Sequence, residues 1–176
     1  KGVSLHVNDI AGYSETLNKC YLSTPTTKQQ KRIEKLIAKA NKFAYREDAS
    51  FNSKWIQLHW APSGNITKDQ RVYYTEKNGK LIDRYRSFIN SLAENDKPFI
   101  LAPLLVEASI HNNTNGQFSA FYKDEHGVGK FGGKKEIDIK RITTPIKLPL
   151  PIFSPSPCNV NVSRMDTNQW IKDIPE

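Results

Sequence analysis

Long apolar runs are missing from this sequence. Nowhere do about 18 apolar residues follow one another, so no segment has the length to cross a bilayer as a helix. Cysteine is scarce. Cys20 and Cys158 are the only two, which excludes a disulfide-stapled scaffold and leaves open whether they bond to each other or stay separate. Neither these nor His6, His59, His111 and His126 show the paired spacing of a structural zinc site. The glycines between 127 and 133 lack the Gly-Lys-Ser/Thr sequel of a phosphate-cradling loop. No cofactor and no metal is therefore expected. The first residue is Lys1, which is compatible with a leader removed upstream. Asn65, Asn112 and Asn161 each open a glycosylation pattern, and the sequence assigns no compartment.

Acidic residues are also in deficit, and the deficit is local. The chain of 176 residues carries 26 Lys+Arg against 18 Asp+Glu, a net charge of +8. Residues 26–46 hold seven basic side chains and one acidic one (+6), and residues 122–147 hold seven and four (+3), so the remainder sums to −1. Charge concentrated in this way points to an anionic partner surface.

Between those absences lies a polar but foldable chain. Its length suits one domain, and its 38% hydrophobic and 10% aromatic residues suffice for a core. Residues 1–22 lack a clear period and are expected to form an extended lead-in. Thr24 can then cap a helix with Pro25 at its first position. Ile33, Leu36, Ile37, Ala40, Phe43 and Ala44 make an apolar stripe over roughly 25–46. Lys28, Lys31, Lys35, Lys39, Lys42 and Arg46 step by three or four residues and fall opposite it.

Residues 54–60 alternate like a half-buried strand, and 71–75 suggest its partner. Asn78-Gly79 reads as a turn, followed by a second amphipathic helix from Leu81 to about Asn95. The apolar stretch 98–111 belongs in the core. Pro103 speaks against a central strand there, and the spacing of Ile100, Leu104 and Ala108 allows a short buried helix. Residues 117–123 and 135–141 alternate and could pair around the glycines at 127–133. Six of the ten prolines lie in 145–176, so residues 145–157 are expected to form neither helix nor central strand.

Four readings of function follow. The preferred one is a basic, non-catalytic binding domain whose cationic helix engages nucleic acid or another polyanion, with affinity falling as salt rises. Trp55 and Tyr73, with His59 and Tyr74, could add stacking platforms flanked by Lys54 and Arg71. The plain counterparts are a solvated helix face and ordinary cross-strand packing. The second reading is a metal-dependent nuclease: Asp124 with Asp138-Ile-Lys140 matches a pattern of two carboxylates for Mg²⁺ and a lysine that orients water, with Glu136 on the same face. The third starts from Glu107 followed by Tyr122-Lys-Asp-Glu-His-Gly-Val, with glycines to Gly133. This stretch resembles the hairpin carrying the second carboxylate of phage-type lysozymes, and implies a cell-wall glycan hydrolase with Glu107 as acid and Asp124 ionised. The fourth is a secreted or periplasmic domain that binds a protein partner.

The expected architecture is a soluble two-layer α+β domain: an antiparallel sheet of about 4–5 strands with two amphipathic helices on one face. The single domain is expected over 23–142, with a proline-rich C-terminal arm over 143–176 packed on it.

Overall fold

The structure is a computed structural model and describes residues 4–46, 54–117, 119–133, 138–155 and 158–174. In chain order the elements are β1 (Ser4–Asn8), α1 (Gly12–Tyr21), α2 (Thr27–Ala44), α3 (Trp55–Trp60), α4 (Glu76–Asn90), α5 (Lys97–Ile110), α6 (Ile139–Thr143), β2 (Asn159–Ser163) and α7 (Thr167–Trp170). A short 3-10 turn, Ile171–Asp173, follows. The described sheet consists of β1 and β2 alone, paired in parallel with Ser4 opposite Asn159 and Asn8 opposite Ser163. No helix among the described residues is long and apolar enough to cross a membrane.

The expected antiparallel sheet of four or five strands is therefore wrong. The described chain is a helical cluster with a two-stranded parallel ribbon. Each misassigned strand has a physical reason. Residues 54–60 alternate, but Ile56 and Trp60 are also four apart and share one face of a helical turn and a half. The helix is chosen because the buried Asp83 carboxylate accepts from the backbone N–H groups of Ile56 (3.0 Å) and Gln57 (2.9 Å), the donors that a helix start leaves free. Residues 72–74 are buried as expected of a strand. Their backbone bonds, however, go to the Trp60 carbonyl and to Asn113. None of the proposed pairing of 117–123 with 135–141 is seen among the described residues; Lys123 bridges instead to Gly129, inside the glycine-rich turn. Residues 139–143 are helical, and 118 and 134–137 lie outside the described residues. The expected extended lead-in holds β1 and α1 instead.

The helices pack around α4, which touches α2, α3 and α5, while α1 lies on α5. Helix α4 begins earlier than the pattern suggested. Thr75 caps it, its side chain accepting from Asn78 N–H at 3.1 Å, so Asn78 and Gly79 sit inside the first turn rather than in a loop. Gly79 is where α3 comes close: a Cβ there would stand 3.1 Å from both the Gln57 Cα and the Ala61 Cβ. Helix α5 runs through 97–110 with Pro98 in its first turn and Pro103 inside, which settles that apolar stretch as helix. The core joins Ile33, Ile37, Ala40 and Ala44 of α2 to Leu81, Ile82, Tyr85 and Ile89 of α4 and to Ile100 and Leu104 of α5.

Ile146 and Leu148 of the proline-rich segment enter this core, and side-chain amides fasten them there. Asn78 accepts from Ile146 N–H (3.0 Å) and donates to the carbonyls of Ile142 (3.2 Å) and Thr144 (3.0 Å). Asn41 accepts from Leu148 N–H (2.9 Å) and donates back to its carbonyl (3.0 Å). The flanking residues Pro145 and Pro149 have no N–H to satisfy. Two asparagines thus do for an extended segment what a neighbouring strand would do.

Two predictions follow from the packing. Asn78→Ala leaves one N–H and two carbonyls without their partner and is expected to cost about 3–5 kcal/mol, read by denaturant unfolding. Cys20 and Cys158 are not joined in a disulfide. Cys20 is fully buried, and burial pushes its thiol up to about 12, whereas Cys158 is partly exposed. A thiol reagent at mildly alkaline pH is therefore expected to label Cys158 first and Cys20 only on unfolding.

Candidate functional site

The most regular feature on the surface is the outward face of α2. The helix starts on a capping box at Thr26. The Gln29 N–H donates to the Thr26 hydroxyl (3.4 Å), and the Thr26 N–H donates to the Gln29 side chain (2.8 Å). Thr26, not Thr24, is the cap, because only Thr26 has a side chain three residues on that can reciprocate. Pro25 therefore precedes the helix rather than opening it. At the other end the Arg84 guanidinium donates to the Ala44 carbonyl (2.9 Å).

Lys28, Lys31, Lys35, Lys39 and Lys42 are all exposed, and at about 100° per residue they occupy a band about 80° wide and about 21 Å long. None of the five forms an ion pair or hydrogen bond through its ammonium group to another described residue. Arg32, at the border of the band, is neutralised by Asp96 at 2.5 Å. Arg46 is exposed but stands beyond the last helical residue, so it extends the ridge only in sequence. The ridge carries its own cost: like charges three and four residues apart repel, and Lys28 sits at the helix start, where the dipole disfavours a cation.

The aromatic candidates separate. Tyr73 is 9% exposed and lies in the core between the Trp60 ring (4.8 Å between centroids) and Phe121 (5.1 Å), so it offers no platform. Tyr74 is also buried. Trp55, by contrast, is 55% exposed on α3, with His59 at 5.4 Å and Trp60 at 6.1 Å. Leu58 beside it is also exposed, and the Arg71 guanidinium lies 5.5 Å from the centre of the Trp60 ring.

The carboxylates are scattered and occupied. Glu107, half-buried on α5, contacts His111 Nε2 at 3.1 Å. Asp124 lies exposed on its own turn, where Oδ1 accepts from the N–H groups of His126 and Val128, both at 2.9 Å. Asp138 precedes α6, accepts from the Tyr122 hydroxyl at 3.0 Å, and has Arg141 at 3.6 Å. Lys140 is exposed on α6, not on a strand beside Asp138, and Glu136 lies outside the described residues. Among the described residues, no group of three or more His, Cys, Asp or Glu side chains is placed to hold a metal ion.

A polar cluster not expected from the sequence follows α5. Asn113, fully buried, donates to the carbonyls of Val72 and Lys130 (both 2.7 Å) and accepts from Gly132 N–H (3.0 Å). Arg141 donates to the carbonyls of Ile110, Asn112 (2.8 Å) and Thr114 (3.2 Å). The signal available was the run His111-Asn-Asn-Thr directly after an apolar helix. Its buried position also withdraws Asn112 from the glycosylation candidates.

Compared with protein-family models, curated proteins and solved structures, the chain matches none. The ridge generates its own stability prediction. Lys35→Glu places an acid four residues from both Lys31 and Lys39 and is expected to raise Tm by about 1–2 °C in a thermal melt at low salt.

Proposed function

We propose that this chain is a non-catalytic nucleic-acid-binding domain whose α2 ridge tracks a phosphate backbone. The observation that carries the reading is the band of five exposed, unpaired lysines on an intact, well-capped helix. A face serving only solubility would mix glutamates among the lysines at i,i+4 spacing. Here Glu34 is the only acid within α2, and it lies to one side of the band. Lysines are compact point charges without the planar fork of arginine, and such charges suit contacts to phosphates that do not depend on base sequence. The carboxylates needed for either hydrolytic reading hold their own turns and neighbours, which favours binding over cleavage.

If all five lysines meet phosphates of a duplex, log K against log salt is expected to fall with a slope of about −4 to −5, and each single Lys→Ala to reduce it by about 0.9. Simultaneous reversal of Lys31, Lys35 and Lys39 to Glu is expected to abolish retention on duplex DNA at low salt while the circular dichroism stays unchanged. Retention equal to the unaltered protein would overturn the reading. The single Lys35→Glu change is expected to weaken binding even as it stabilises the helix, a combination that a merely solubilising face would not give.

A further inference from the structure

We infer that the outward face of α3, with the groove beside it, is a seat for an unpaired base of a single-stranded nucleic acid. This inference rests on the nucleic-acid reading of the ridge and names the form of partner. A groove of about 350 Å³ runs along α3, lined by Gln57, Leu58, His59, Asp69, Gln70 and Arg71 among others. Most of that lining is polar, with donors and acceptors suited to base edges. The groove between α1 and α5, lined by Tyr13, Leu17, Leu105, Val106 and Ser109 among others, is mainly apolar, and its polar side chains are hydroxyls alone.

Trp55 and His59 stand one turn apart on α3 with their rings 5.4 Å from each other. Together they present an aromatic surface with Lys54 exposed at its edge. Arg71, exposed at the groove and already over the Trp60 ring, supplies the cation that base stacking sites use. Asp69 is the one acid in the lining and would accept from a base amino group.

Position links this seat to the ridge. Adjacent residues of α4 hold the two together: Arg84 binds the last carbonyl of α2, and Asp83 binds the first N–H groups of α3. The end of α2 that follows Lys42 and the start of α3 that carries Trp55 are thereby fixed to neighbouring residues of one helix. A strand tracking the lysines would deliver its bases to Trp55 only if their faces are free, and within a duplex they are stacked on one another.

The test compares a short mixed-sequence single strand with its own duplex, for the unaltered protein, Trp55→Ala, Trp55→Phe and the triple lysine reversal. Affinity is read by anisotropy and tryptophan emission by quenching. Trp55 is half exposed, so its replacement is not expected to disturb the fold, and circular dichroism checks this. The expected result is tighter binding and stronger quenching with the single strand. Trp55→Ala should weaken single-strand binding by about 5- to 100-fold, leave duplex binding within about two-fold, and be largely rescued by Trp55→Phe. If Trp55→Ala changes neither affinity, or lowers both alike, the seat is overturned; the ridge reading then survives provided the lysine reversal still abolishes binding. If the unaltered protein binds neither strand, both fall.

Discussion

Backbone polar groups removed from water must be paired, and outside the helices this chain does so largely with side-chain amides, a carboxylate and a guanidinium rather than with a sheet. Asn78 and Asn41 hold the segment from Ile142 to Leu148, Asn113 ties the backbone at Val72 to that at Lys130 and Gly132, Asp83 starts α3, and Arg141 closes the backbone after α5. Each of these side chains serves two or three partners at once. The irregular part of the structure therefore stands on a handful of amide and guanidinium groups, all anchored directly or indirectly to the helical cluster.

That arrangement explains how a helix can afford a face of uncompensated charge. Helix α2 is secured on its other side by Ile33, Ile37, Ala40 and Ala44, at one end by the Thr26–Gln29 box and at the other by Arg84. Burial of such side chains contributes about 1.5–3 kcal/mol for each large aliphatic one, well above the few tenths of a kcal/mol that each lysine repulsion removes. The outward face is thereby released from structural duty. Adjacent residues of α4 secure α2 (Arg84) and aim α3 (Asp83), so the positions of the cations and of Trp55 are set by one rigid element.

What the sequence disclosed follows the reach of its signals. Helix α2 was readable in both faces, because eighteen residues at one period leave little ambiguity, although the cap was placed two residues early. The helix over 97–110 was one of two readings left open by Pro103. Residues 54–60 failed because six residues fit two periods, and the deciding Asp83 lies 26 residues away along the chain. Asn78-Gly79 looked like a turn because a glycine required for close packing of two helices carries the same letters as one required for a bend. Of the proposed site, the lysines could be located from spacing alone. That Tyr73 is buried and Trp55 exposed depends on partners such as Phe121 that no local pattern names.

The ribbon of β1 and β2 has a kinetic meaning. Ser4 and Asn159 are joined across 155 positions, and Asn8 bonds to Met165 across 157. Closing so wide a span before the intervening helices condense would sacrifice chain entropy for five paired positions. During synthesis β1 must therefore wait, with its edge unpaired, until the helices between it and β2 have emerged. Topology thus favours condensation of the helical cluster before the ribbon closes.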